Sequence, residues 1–120
     1  MQPSWSEFLL SAQGRVSRSQ FWLRWVVPYL VVTIVLFLIV GLIFDQITAA
    51  IIMGIYYLAA LWPTICIYIK RAHDRGRSGA FVLLFLVPVL NLWPLVELLF
   101  LPGTSGSNTY GSDPLALAVA

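Results

Sequence analysis

The residues best suited to chemistry lie in one short stretch, 70–79, which reads Lys-Arg-Ala-His-Asp-Arg-Gly-Arg-Ser-Gly. A histidine beside a carboxylate, here His73 and Asp74, is the pairing that orients a general base. Neighbours on a helix point about 100° apart, however, and no candidate nucleophile is evident nearby, so we expect no catalytic residues. Zinc needs three or four ligands, which His73 and the distant Cys66 do not supply. We therefore expect no metal and no other cofactor.

The cations of this stretch favour ion pairing and anion binding instead. Asp74 lies among them and is expected to pair with Arg71, Arg77 or Arg18, forming a clasp between the first helix and the elements that follow. Gly76 would end the second helix in a left-handed conformation, and Ser78 would cap the third. Backbone N–H groups near the glycines, with the arginines, would suit a phospholipid headgroup. The candidate clasp or headgroup residues are Arg15, Arg18, Arg71, His73, Asp74, Arg77 and Ser78.

The charge distribution predicts a membrane protein. All seven Lys and Arg residues fall within Arg15–Arg24 and Lys70–Arg77, and the apolar runs beside them contain none. Basic residues near span ends stay on the cytoplasmic side, so we expect both clusters and the N-terminus in the cytoplasm. The chain is 60% hydrophobic, against about 45–50% for soluble domains. A net charge of +2 is too small for a nucleic-acid surface, which leaves anionic lipid headgroups as the expected counterions.

The apolar runs predict the elements that position these residues, within a single all-α membrane domain over 1–120. A first transmembrane helix is expected over 22–44 and a second over 49–69, because runs of about 20 apolar residues cover the roughly 30 Å hydrocarbon core. The first run is too long for the 7–15-residue apolar region of a signal peptide. The short break at 45–48 requires an antiparallel hairpin, and 70–79 would then be a cytoplasmic basic turn.

The third run, 80–101, allows two interpretations because Pro88, Asn91, Pro94 and Glu97 interrupt it. We favour one kinked transmembrane helix, since proline is tolerated in membrane helices. The tail at 102–120, which has no Lys or Arg, would then lie outside. Alternatively, 88–94 forms a turn at mid-depth and each arm, roughly 12 Å long, is too short to cross. This re-entrant segment would return the tail to the cytoplasm and bring Glu97 to the arginines.

Two flanking segments complete the prediction. Ser4 and Glu7 have capping-box spacing ahead of an apolar stripe, which indicates a short amphipathic helix over 5–13 lying in the membrane interface. Ser17 and Gln20 repeat that spacing where the first span should begin. The tail is rich in turn formers, and its Gly, Pro, Asn and Asp residues favour an ordered turn.

Three motifs resemble the small bacterial inner-membrane proteins of the domain of unknown function 805 family. They are Gly14 to Trp22, Arg71 to Gly79, and Pro102 to Pro114, in the family's order and spacing. The chain departs from the family at Ala80, where an aromatic residue usually stands, and in its very short first inter-helix loop. The resemblance implies a bacterial plasma-membrane location without an established activity. It adds Asn108, Tyr110 and Asp113 of the tail to the residues worth testing.

Our leading interpretation is a non-enzymatic, multi-pass inner-membrane protein whose clasp binds anionic lipid headgroups or a protein partner. The alternative is a subunit of a small transporter or channel, which would have to form a homo-oligomer because three helices enclose no pore. Asn91 and Glu97 bear on this alternative, since polar groups at membrane depth are functional candidates.

Overall fold

The computed structural model describes residues 4–115, which form an all-helical chain without a strand in that range. A short helix α1, Trp5–Leu10, is followed by two long helices, α2 over Arg18–Ile43 and α3 over Gln46–Asp74. A 3₁₀ helix over Gly79–Leu86 and a helix α4 over Leu92–Phe100 come next. We call the end of α3 that carries Lys70–Asp74 the basic end, and the end near Asp45 the far end.

Helices α2 and α3 are long and apolar enough to cross a membrane by length and composition. They form an antiparallel pair in which the Thr33 and Tyr56 hydroxyl oxygens lie 2.8 Å apart. The turn between them is tight because Asp45 caps α3, its Oδ2 accepting from the N–H groups of Ile47 and Thr48. Most apolar side chains of the pair are exposed, Leu42 to 87% and Leu58 to 73%. This is the pattern of helices that meet lipid, since a core helix of a soluble protein buries such residues.

The start of α2 follows the predicted capping box. The Ser17 hydroxyl accepts from the Gln20 N–H, and the Gln20 side chain accepts from the Ser17 N–H at 3.0 Å. Ser4 caps α1, because its hydroxyl accepts a hydrogen bond from the N–H of Glu7 at 3.2 Å. Helix α1 ends at Leu10, within the predicted range of 5–13, and packs its buried Phe8 against the basic end of α3.

The single kinked helix favoured over 80–101 is not formed. Val87 is extended, as expected before Pro88, and the chain turns there before α4 begins. The two arms are the 3₁₀ helix of eight residues and α4 of nine, roughly 16 Å and 13.5 Å long, and neither spans a 30 Å hydrocarbon layer. Helix α4 then returns to the basic end, where Arg71 donates to the carbonyl of Leu98. The re-entrant alternative is the one that matches this chain path.

Packing is concentrated at the basic end. One apolar cluster joins Phe8, Val16, Phe21 and Ile67, and a second joins Ala72, Phe81 and Leu98. Cys66 is fully buried at the same end and is a free thiol, consistent with a packing role. The two clusters bring the N-terminal segment, α3, the 3₁₀ helix and α4 together, and they position the polar residues described next.

Candidate functional site

The carboxylate of Asp74 is the centre of the polar site. Its Oδ1 accepts from Nε of Arg15 at 3.0 Å and its Oδ2 from Nη1 of Arg71 at 2.8 Å. The side chains of Asp74, Arg15 and Arg71 are 3%, 1% and 0% exposed. Two cations therefore compensate the buried carboxylate, as a buried charge requires. We call these three residues the Asp74 cluster.

Of the three arginines predicted as alternative partners of Asp74, Arg71 is the one that pairs with it. Arg77 pairs with Glu97, and Arg18 donates through Nη1 to the carbonyl of Phe100 at 2.6 Å. Arg15, which was a candidate but not a predicted partner, takes their place. It does so because Val16 donates its N–H to the Lys70 carbonyl, which draws the N-terminal segment against the end of α3.

Arg15 also binds the C-terminal tail. Its Nη2 donates to the Thr104 carbonyl and its Nη1 to the Gly106 carbonyl, both at 2.6 Å. A longer bond of 3.3 Å runs from Nη1 to the carbonyl of Gly111. The planar guanidinium thus directs its donors at the carboxylate and at the tail, a geometry that a lysine ammonium does not offer. Arg15 is committed to protein atoms and is too buried to act as a headgroup ligand.

Gly103 is a site residue outside the predicted candidates. A Cβ built on it would lie 1.8 Å from Oδ2 of Asp74, so no side chain fits there. The next residue, Thr104, donates its N–H to the backbone carbonyl of Asp74 at 2.7 Å. The tail backbone therefore passes directly over the Asp74 carboxylate. In the sequence, the Pro102-Gly103 pair after an apolar run indicates a turn. Its contact with Asp74 follows only once the chain takes the re-entrant path.

The last carbonyls of α4 bind side chains from three other positions. Arg71 donates through Nε to Leu98 at 2.8 Å and through Nη2 to Leu101. Trp22 donates its indole N–H to the Leu99 carbonyl at 2.6 Å. A helix leaves its final four carbonyls without intrahelical partners and carries partial negative charge there, so cationic donors stabilise this end. Arg71, together with Arg18 at the Phe100 carbonyl, thus stabilises the C-terminal end of α4.

His73 joins the basic end to the tail. Its Nδ1 lies 2.9 Å from the carbonyl oxygen of Gly14, and its ring stacks on Tyr110 with centroids 4.0 Å apart and planes 2° apart. Asn108 donates from Nδ2 to the His73 carbonyl and accepts from the Tyr110 N–H, both at 2.9 Å. Asp113 accepts from the Gly106 N–H at 2.9 Å, which closes the tail turn. The tail motif is therefore ordered and packs on the basic end.

Glu97 forms a second centre, which we call the Glu97 cluster with Arg75, Arg77 and Trp93. Arg77 donates to both carboxylate oxygens, through Nη2 to Oε1 at 3.0 Å and through Nε to Oε2. Arg75 Nε lies 3.6 Å from Oε2, and the Trp93 indole donates to Oε1 at 3.3 Å. Burial alone would raise the pKa of Glu97, but hydrogen bonds from Arg77 and Trp93 and the arginine charges lower it below its ordinary 4.5. This pairing is the one expected for a re-entrant segment.

The remaining candidates have smaller roles in the geometry. Gly76 has a φ of +79° and ends α3 as predicted. Ser78 precedes the 3₁₀ helix, but its side chain makes no capping hydrogen bond, which corrects that expectation. Asn91 precedes α4, also without a side-chain cap. Lys70 was not a candidate, yet its ammonium is buried and donates to the carbonyls of Phe8 at 2.5 Å and Glu7 at 3.0 Å.

Comparison with known proteins is decisive about the family. Residues 9–112 match the family described as "Protein of unknown function (DUF805)". The chain belongs to this family. Inner membrane protein YhaI of Escherichia coli strain K12 is 38% identical over 103 residues, covering 84% of this chain and 83% of YhaI. The uncharacterized protein YiiR of the same strain is 32% identical and covers 89% and 88% of the two chains. Inner membrane protein YhaH is 28% identical and covers 85% of each.

No solved structure matches the chain. The DUF805 membership and the two long apolar helices identify a membrane protein whose family has no established function. In residues 4–115 no three His, Cys, Asp or Glu side chains come together as a metal site would require. The geometry at the basic end is instead that of arginines bound to carboxylates and backbone carbonyls.

Proposed function

We propose that this chain is a multi-pass inner-membrane protein with both ends on the cytoplasmic side. Helices α2 and α3 would cross the bilayer, and the 3₁₀ helix and α4 would enter and leave it from the cytoplasmic face. Support comes from the Arg15 contacts, since one buried guanidinium binds Asp74 and the Thr104 carbonyl of the tail. All seven Lys and Arg residues belong to the segments that meet there, which the positive-inside bias assigns to the cytoplasm.

Reporter fusions after residue 120 test this topology. A fused fluorescent protein that matures only in the cytoplasm should be bright, and a fused periplasmic phosphatase should be inactive. A fusion after Asp45 should give the opposite pair of results, which controls for insertion. An active phosphatase after residue 120 would reject the re-entrant path.

We propose further that the protein is non-enzymatic and binds anionic lipid headgroups of the cytoplasmic leaflet. The Asp74 cluster then has a structural role, because Arg15 and Arg71 are buried and committed to protein acceptors. Headgroup contact falls to more accessible cations such as Arg18, which is exposed, and Arg77, whose side chain is 40% exposed, although each also donates to a protein acceptor. Interactions of this kind contribute about 1 kcal/mol per cation near an anionic surface.

The observation that carries this proposal is the division of the arginines into a buried set and an accessible set. A transporter or channel subunit receives less support, because Glu97 is held by Arg77, Arg75 and Trp93 rather than facing a seam between helices. His73 is engaged by Gly14 and Tyr110, which supports a structural role over acid-base catalysis.

Lipid retention measured by native mass spectrometry tests the headgroup function. The wild-type protein should retain palmitoyl-oleoyl phosphatidylglycerol over the matching phosphatidylcholine, and the Arg18→Gln and Arg77→Gln double variant should retain less of it. Gln13→Ala, a neutral change at an exposed residue of the same region, serves as the control. Equal retention of the two lipids by the wild type would reject the function.

A further inference from the structure

A groove of about 380 Å³ opens on the side of the helix pair, between α1, α2 and α3. Its walls include the following residues: Trp25, Pro28, Tyr29, Tyr56, Ala59 and Pro63. Among the described residues that line it, Arg24 is the one with a charged side chain. The groove is therefore an apolar cleft with a cation at one end, the pattern that an anionic amphiphile would complement.

Two prolines explain why the helices leave space here. Pro28 has no N–H for the carbonyl one turn earlier, and α2 is widened just before it into a π-helical turn over Trp22–Val26. Pro63 interrupts the hydrogen-bond ladder of α3 in the facing wall. Ala59, one turn before Pro63, contributes only a methyl group to the groove. Each of the two facing helices therefore contributes a proline to the groove wall.

Aromatic rings form another part of the wall. Trp25 stacks on Tyr29 with centroids 4.9 Å apart, and Tyr29 stacks on Tyr56 at 6.0 Å. The Tyr56 hydroxyl is already bound to Thr33, and most of the other lining residues are apolar. Such a surface fits a hydrocarbon chain, which needs contact area and no hydrogen-bond partner.

Arg24 lies at the basic end of the groove. Its guanidinium carbon is 4.3 Å from the centre of the Trp5 ring and 4.5 Å from that of Phe8. Lys70 Nζ lies 5.0 Å from the same Phe8 ring, which adds a second positive charge nearby. From Arg24 to Val32, the deepest lining residue of α2, the helix rises roughly 12 Å. This is the reach from the headgroup level into the upper half of one leaflet.

We infer that the groove binds an anionic glycerophospholipid of the cytoplasmic leaflet. The phosphate lies against Arg24, and one acyl chain lies along Pro28, Tyr29 and Tyr56. The inference rests on the proposed lipid-binding function and assigns it a specific site, separate from the surface cations Arg18 and Arg77. Charge complementarity at the mouth and the length of the cleft are what select a phospholipid over a neutral occupant.

Native mass spectrometry with phosphatidylglycerol and phosphatidylcholine of matched palmitoyl-oleoyl chains tests the site. The wild type should prefer phosphatidylglycerol about fivefold, the effect of one cation at a membrane surface. Arg24→Gln should reduce the preference to what Arg18 and Arg77 contribute, and Ala59→Phe should lower retention of both lipids by filling the cleft. Ala59 is exposed, so the larger side chain enters the groove rather than the core. Ala60→Leu provides a second, smaller filling change should Ala59→Phe fold poorly.

Gln13→Ala is the control, because Gln13 is exposed and does not line the groove. An unchanged preference in Arg24→Gln, or unchanged retention in both groove-filling variants, would overturn the site. Loss of the preference only in the Arg18 and Arg77 double variant would overturn the site and leave the surface function standing. No preference in the wild type would overturn both.

Discussion

At the basic end of the α2–α3 pair, arginines, carboxylates and backbone carbonyls of distant segments form one buried network, whereas the far end is two bare helices joined by a short turn. Asp74 at the first end contacts two cations and the tail backbone. Asp45 at the second caps its own helix and is exposed. Ile43 and Ile47, on either side of the far turn, are 68% and 73% exposed.

The two ends of this membrane protein therefore differ in how many specific side-chain contacts their folded structure requires. At the far end the apolar side chains are exposed and the backbone hydrogen bonds lie within each helix, so many sequences can form it. At the basic end several helices end or begin. The backbone carbonyls at their ends have no partner within the helix, so each needs a specific hydrogen-bond donor from elsewhere. The residues of the basic end should therefore tolerate change poorly.

The largest difference in stability between the two ends is predicted for substitution of their aspartates, Asp74 and Asp45. Asp74→Ala leaves Arg15 and Arg71 buried without their carboxylate and should lower the free energy of unfolding by about 3 to 5 kcal/mol. Asp45→Ala removes an exposed helix cap and should lower the free energy of unfolding by much less than Asp74→Ala does. Equilibrium unfolding in mixed micelles measures both, and similar losses for the two variants would remove the distinction between the ends.

Replacing a glycine by alanine should change the stability of the protein differently at the two ends. Gly103→Ala forces a methyl group into the Asp74 carboxylate and should destabilise the protein by about 1 to 3 kcal/mol. Gly41→Ala, in α2 near the far end, meets no atom within 4 Å and should leave stability unchanged or raise it by up to about 1 kcal/mol. Thermal unfolding of both variants in the same detergent is the measurement, and a harmless Gly103→Ala would contradict the tail path.

Acid should weaken the Glu97 cluster. The folded pKa of Glu97 lies below its ordinary 4.5, so its contribution is fully present above that value and is lost as pH falls through the folded pKa. The stability difference between wild type and Glu97→Gln should therefore be constant near neutral pH and shrink below about pH 4.5. A difference that grows on acidification would mean that the pKa is raised and the ion pairs are not formed.

The smallest effect is expected at the stacked pair. Tyr110→Ala removes the ring that lies on His73 and should cost about 1 kcal/mol. Tyr110→Phe retains the ring and should remain near wild type. Protection of tail amides against hydrogen exchange reports the same contact, and equal exchange in the two variants would show that stacking does not hold the tail.

Much of this architecture could be predicted because membranes constrain sequences strongly. The two apolar runs, the Ser17–Gln20 capping box and the left-handed Gly76 each follow from local rules. The path of 80–101 could not be decided, since Pro88 is compatible with a kink or a turn until its surroundings are known. Without that path Arg15 could not be matched to Asp74, nor could Gly103 be recognised as the residue that lies against the carboxylate.

The direct contact between Arg15 and Asp74 holds the N-terminal segment, α3 and the tail together. A double-mutant cycle with Arg15→Ala and Asp74→Ala, measured by unfolding in lipid nanodiscs, tests it most directly. We predict a coupling free energy of about 1 to 3 kcal/mol, as found for contacting residues of one buried network. Additive effects of the two substitutions would show that the two side chains do not stabilise each other.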